Sequence, residues 1–173
     1  DVYKRQVVIP SGEGEIMLGG SDRAGLEDVA ELLRSSGLRA RVVENVEGWR
    51  WLKTLINAGI NPLTALLRVR NGELLKHPEL LAVARTAVEE GAEVARRLGV
   101  ELPRDPVEAL IEVLRATSGN KSSMLQDLEA CRETEIDYIN GFIASKAREL
   151  GLEAPVNEVL TALVKVASRV CSP

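Results

Sequence analysis

A mainly helical domain preceded by a short α/β segment is the fold this sequence predicts, and two observations predict it. From Val46 onward, apolar residues recur three and four positions apart in one segment after another, the period of helices with a buried face. Before that, β-prone runs flank one helical pattern, the order of a βαβ unit but with too few elements for a complete sheet. The expected division is therefore residues 1–44 and residues 45–173.

Taken in order, Asp1 to Gln6 reads as foreign to the rest of the chain, as translated adapter DNA can, and fits a gene recorded from its middle. Val7-Val8-Ile9, the turn residues Pro10 to Gly14 and the returning Ile16-Met17-Leu18 predict a hairpin. Ser21 or Asp22 can cap a helix that buries Leu26, Val29, Ala30 and Leu33 and stops at Gly37. Arg39 to Glu44 predicts a strand with Ala40 and Val42 on one face. A helix then runs from about Val46 to Asn61, because a residue before proline avoids the α region, and a shorter one continues through Leu67. Pro78 to Leu98 predicts a long helix closed by Gly99, and Pro106 opens another carrying Leu110 and Leu114. Ser122 or Ser123 caps a short helix. Thr134 to Leu150 reads as one helix, with Ile136, Ile139 and Ile143 inward and Asn140 at the surface. Pro155 opens the last, expected to bury Val156, Val159, Leu160, Leu163 and Ala167. The loop from Ala116 to Lys121 is the expected mobile segment.

Composition narrows the function. Aromatics are 3% of the 173 residues, so aliphatic side chains and alanine must fill the core. A net charge of −4 argues against a sequence-independent nucleic-acid binder, which needs a basic face. No apolar run has the length of a membrane helix. Two cysteines make no disulfide framework, and a reducing cytoplasm is the simplest setting. No metal-ligand spacing appears, and the lone His77 has no partner for a triad. There is no G-x-G-x-x-G on a strand-to-helix turn, the usual dinucleotide fingerprint.

The informative stretch is Lys53, Asn57 and Asn61, four residues apart in an otherwise mostly apolar helix. That spacing puts one amine and two amides on a single face. A helical lysine is ordinarily a solvated surface residue. Asparagine, however, is a poor helix-interior residue because its side chain competes for the backbone, so two on one face call for a reason. A cleft for a small polar ligand is one. Other candidates carry local explanations of their own. Asn71-Gly72 is a turn signal, Ser122 and Ser123 are both cap residues, and Glu135 stands where a carboxylate complements a helix dipole.

Four ordered segments resemble the C-terminal domain of the ketopantoate reductase (2-dehydropantoate 2-reductase) family. They are W-x-K-x-x-x-N-x-x-x-N-P-L-T-A-L from Trp51, N-G-E-L from Asn71, S-S-M-L-Q-D from Ser122 and T-E-I-D-Y-I-N-G-F from Thr134. The resemblance implies a helical domain like the C-terminal domain of 6-phosphogluconate dehydrogenase. It implies that the first 44 residues are the tail of an N-terminal, NADP-binding Rossmann-type domain, most of which, with its glycine-rich loop and an active-site asparagine, this chain lacks.

The resemblance also implies a function: reduction of 2-dehydropantoate to (R)-pantoate with NADPH, on the way to pantothenate and coenzyme A. By position in the motifs, Lys53 is the expected catalytic lysine and general acid. Asn57, Asn61, Asn71 and Ser123 are the expected substrate-binding residues. Glu135 is the expected active-site glutamate, orienting Lys53 or holding the nicotinamide ribose. The chain alone is expected to be inactive, and the intact protein cytoplasmic, without nucleic-acid or membrane partners and able to form a homodimer. Two other readings remain: a related 2-keto or 3-hydroxy acid dehydrogenase, and a non-catalytic helical dimerisation module.

Overall fold

The computed structural model describes residues 14–171, with Cys171 as backbone only, so the first arm of the expected hairpin, Val7 to Ile9, lies outside the described residues. The chain divides into two compact units, Asp1–Val46 and Glu47–Pro173. In the first, strand β1 (Glu15–Leu18) is followed by helix α1 (Arg23–Ser35) and strand β2 (Arg39–Val42). The strands pair in parallel, Glu15 opposite Arg39 and Leu18 opposite Val42, so this is a βαβ unit. The expected return strand of a hairpin thus takes its partner from beyond the helix. Asp22 caps α1 by accepting from the amide of Gly25 at 3.1 Å, and Gly37 ends the turn at φ 82°. Val29, expected inside, is 46% exposed, because two short strands cover only one narrow face of α1.

The second unit is helical throughout: α2 (Val46–Leu67), α3 (Glu73–Lys76), α4 (Pro78–Arg97), α5 (Pro106–Ala116), α6 (Ser123–Glu129), a 3₁₀ turn (Ile136–Tyr138), α7 (Asn140–Glu149) and α8 (Pro155–Cys171). Proline opens α4, α5 and α8, where its missing N–H is not needed. Leu55, Leu74, Val88, Leu110, Leu114, Leu125, Ile143 and Val164 form a core with almost no exposed surface, and α4 packs against α5, α7 and α8. Small residues let the helices close. A Cβ on Gly59 would lie 2.9 Å from the backbone oxygen of Ala84.

Several expectations about this unit are corrected. Helix α2 does not stop at Asn61; it passes through Pro62 to Leu67. Proline cannot donate to the carbonyl of Ala58, and the side-chain amide of Asn140 does so instead, at 3.1 Å. Asn140 is accordingly fully buried, not at the surface. Thr134 to Leu150 is not one helix, since Ile139 (φ −108°, ψ −90°) breaks it between the 3₁₀ turn and α7. On α8, Val159 and Leu163 are 57% and 50% exposed; the inward stripe is Asn157, Leu160 and Val164 instead. Finally, Cys131 is disulfide-bonded and not a free thiol.

Candidate functional site

The Lys53 stripe is built by α2 alone. Eight residues of helix separate Lys53 from Asn61, about 12 Å along the axis. Burial deepens along it: Lys53 is exposed, Asn57 half-buried and Asn61 only 5% exposed. Among the described residues Lys53 has no ion-pair partner, and the side-chain amides of Asn57 and Asn61 hydrogen-bond to nothing. Asn61 is the telling member. The residue is buried, yet its amide atoms, unlike the enclosed and unpartnered Asn71 Oδ1, keep an open side from which a ligand can reach them.

Ser123 is tied to the same helix through its neighbour. The hydroxyls of Thr64 and Ser122, both buried, lie 2.7 Å apart. Ser122 Oγ also accepts from the amide of Leu125 at 3.1 Å, so Ser122 is the cap of α6. Ser123 comes next as the first helical residue, exposed, with a hydroxyl free of protein partners among the described residues.

Asn71 is 7% exposed, and its amide nitrogen donates to Thr117 Oγ1 at 2.9 Å. Its backbone N–H donates to the carbonyl of Asn120 at 3.0 Å, and that of Gly72 to the carbonyl of Ser118 at 3.0 Å. A Cβ at Gly72 would lie 2.9 Å from the Ser118 carbonyl, so glycine permits the approach. Arg70 donates to the Gly119 carbonyl. The segment expected to be mobile is thus stitched to the turn after α2, and it leads directly into Ser122. Asn71 Oδ1 is buried without a hydrogen-bond partner.

Glu135 stands apart in its bonding. Its carbonyl accepts from the amides of Tyr138 and Ile139 at 3.0 and 3.1 Å, while its exposed carboxylate forms no ion pair with Lys53. A concavity of about 340 Å³ beside it is lined by Thr134, Asp137, Lys165 and Arg169, and not by Lys53 or its asparagines. Sequence reasoning passed over Thr64 and Thr117 and read Asn140 as a surface residue. The signal for a buried Asn140 is Pro62 in α2, which leaves the Ala58 carbonyl four residues back in need of a donor. No group of three or more His, Cys, Asp or Glu able to hold a metal occurs among the described residues, and no helix there is long and apolar enough to cross a membrane.

The arrangement offers one cation and several neutral donors and acceptors along an apolar helix. Chemically, that suits a small ligand carrying a carbonyl and a carboxylate.

Comparison with known proteins is consistent with this. Residues 45–168 match the sequence family described as "Ketopantoate reductase PanE/ApbA C terminal". A 2-dehydropantoate 2-reductase of Pyrobaculum aerophilum is 42% identical over 161 residues, covering 93% of this chain and 56% of that protein. One from Archaeoglobus fulgidus is 42% identical over 161 residues, covering 91% and 54%. The chain thus spans about half the length of the curated relatives it matches. Among solved structures, a PanE/ApbA family ketopantoate reductase from Ralstonia eutropha superposes with a TM-score of 0.86 at 31% identity, over 94% of this chain and 54% of that one. A D-mandelate dehydrogenase, solved with NADH and anilino(oxo)acetate, gives 0.84 at 30% identity, over 94% and 69%.

Proposed function

The chain belongs to the ketopantoate reductase family, and from that premise we propose that it is the substrate-side part of an enzyme that reduces 2-dehydropantoate to (R)-pantoate with NADPH. The observation that carries the reading is the unpaired ammonium of Lys53 on one helix face with two amides that no protein group satisfies.

The chemistry comes from those groups. Reducing a ketone adds hydride to carbon and a proton to oxygen. The hydride belongs to the nicotinamide cofactor. Its cradle does not fit the described residues. The turn from β1 into α1, Gly19-Gly20-Ser21-Asp22, lacks the G-x-G-x-x-G pattern, and the Asp22 carboxylate occupies the N-terminus of α1. What this chain contributes is the other half of the reaction. As negative charge grows on the carbonyl oxygen, the Lys53 ammonium stabilises it and delivers the proton. Asn57, Asn61 and Ser123 hold the carboxylate and hydroxyl through neutral groups, which leaves Lys53 as the cation that orients the carbonyl. Asn71 is a further substrate-binding group, its Oδ1 being without a protein partner, and its backbone holds the segment that ends in Ser122 and Ser123. For Glu135 the reading is that its exposed carboxylate accepts from ribose hydroxyls or orients Lys53. On this reading residues 1–44 are the tail of the nucleotide-binding domain.

The likeness to D-mandelate dehydrogenase supports a second reading, in which the same lysine and amides serve a different 2-keto acid. Assay of the intact protein containing this segment against a panel of 2-keto acids separates the two. The expected result is the highest kcat/KM for 2-dehydropantoate; a stronger preference for an aryl-substituted keto acid would overturn the assignment.

A further inference from the structure

Helix α2 carries a fault at the middle of the proposed site, and the fold repairs it from elsewhere. Pro62 has no N–H, so the carbonyl of Ala58 loses the donor that every interior helical carbonyl otherwise has. Ala58 has no exposed surface, so water cannot take that place. Asn140, the first residue of α7, supplies the missing bond: its Nδ2 donates to the Ala58 oxygen at 3.1 Å. The second hydrogen of the same amide goes to Asn157 Oδ1 at 3.0 Å. Two acceptors therefore fix which way the Asn140 amide faces, and its own oxygen is left without a partner. Asn157 continues the chain of bonds, donating to the Ala87 carbonyl at 3.0 Å and to Glu90 Oε2 at 2.7 Å. One buried network thus runs from α2 through α7 and α8 to α4.

The repaired carbonyl lies between Asn57 and Asn61 in the sequence. Proline sites are where helices kink, and a kink there would rotate the two amides against each other. We propose that Asn140 is a positioning residue for substrate binding, acting through the Ala58 carbonyl to hold Asn57 and Asn61 in one register. The kinetic part of this rests on the function proposed above for Asn57 and Asn61; the coupling between Asn140 and Pro62 does not.

The test is a double-mutant cycle in the intact protein, with Asn140→Ala, Pro62→Ala and the pair. Pro62→Ala restores the N–H and makes the Asn140 donor to Ala58 redundant, while the bond to Asn157 stays lost with Asn140→Ala in either background. Asn140→Ala alone is expected to raise KM for 2-dehydropantoate at least tenfold with a smaller fall in kcat, and to lower the melting temperature. Adding Pro62→Ala is expected to recover most of the KM loss and the part of the melting loss that belongs to the Ala58 carbonyl, leaving the part that belongs to Asn157. Equal effects of Asn140→Ala in the two backgrounds would overturn the proposal, as would a loss confined to kcat. If Asn140→Ala alone is insoluble, the pair decides. A soluble, cooperatively folded double variant supports the repair, and an equally insoluble one refutes it. Should the wild-type protein not reduce 2-dehydropantoate, the melting cycle still tests the Asn140–Pro62 coupling, and the failure falls on the function.

Discussion

Replacing Glu90 by Ala removes a helix cap that comes from a distant helix. The Glu90 carboxylate accepts from the backbone amides of Val156 and Asn157 at 3.0 and 3.1 Å, and from the Asn157 side chain at 2.7 Å. These amides belong to the first turn of α8, whose N–H groups have no partner within the helix. Asn157 is fully buried, so in the variant water does not readily replace the lost acceptor there, whereas Val156 is half-buried and is rehydrated at lower cost. Breaking a hydrogen bond to a charged acceptor costs about 1.5–3 kcal/mol. Counting the two bonds to Asn157 at the low end of that range, because Glu90 is itself only part-buried, and neglecting the Val156 bond gives about 3 kcal/mol. At about 3–4 °C per kcal/mol for a chain of this size, the melting temperature should drop by about 10 °C. Glu90→Gln keeps one acceptor oxygen, so about half that loss is expected. Thermal unfolding monitored by circular dichroism, with calorimetry to check two-state behaviour, reads both variants. A shift below about 3 °C for Glu90→Ala would refute the reasoning, since it would mean that these bonds are no better than those to water.

Other consequences arise from particular contacts. Ser122→Ala should lower stability by about 1–2 kcal/mol, through the lost cap and the lost Thr64 bond, while Ser123→Ala should leave stability within about 0.5 kcal/mol and act on KM instead; melting curves and kinetics of the two variants check the contrast. Gly59→Ala should destabilise by about 1–3 kcal/mol, because the atom in the way is a backbone oxygen that cannot swing aside, and denaturant unfolding measures it. The carboxyls of Glu73, Glu93 and Glu149 are held below their ordinary value of 4.5 by hydrogen bonds from Lys76, Arg96 and Lys146. Their small contribution to stability is therefore complete above pH 4.5 and is lost as pH falls through the lowered values. A triple variant with Gln at these positions should show a flatter melting temperature against pH in that acid range.

What is legible in the sequence is what depends on neighbours along the chain. The Lys53–Asn57–Asn61 face comes from the helical period, and the helix starts at Pro78, Pro106 and Pro155 come from capping rules. The stopping point of α2 is misread from sequence because the rule for proline is local, whereas its exception is not. At Pro62 the stranded carbonyl is reached by Asn140, far along the chain. The same nonlocality hides Asn140 itself. A polar residue reads as surface until a buried acceptor is known to need it. Gly12 and Gly14 are turn residues and suggest a hairpin, while the pairing of β1 with Arg39–Val42 depends on the crossover through α1. On α8, Val159 and Leu163 fit a helical period, but the phase of the buried stripe is set by Asn157 and Glu90. Of the candidate site, the residue types are readable from motif and spacing. That Asn71 faces Thr117, and that Ser122 and not Ser123 is the cap, can come only from three-dimensional contacts.

The central claim is that Lys53 carries the reaction while the amides around it hold the substrate. The most direct measurement is the steady-state reduction of 2-dehydropantoate with NADPH by the intact protein containing this segment, wild type beside Lys53→Ala, with cofactor affinity measured on both. General-acid and charge stabilisation by one residue is worth about 10²–10⁴ in rate, so kcat should fall by at least a hundredfold while the NADPH dissociation constant stays within about twofold. A variant that turns over within about fivefold of wild type, properly folded, would contradict the claim and leave Lys53 an ordinary surface lysine.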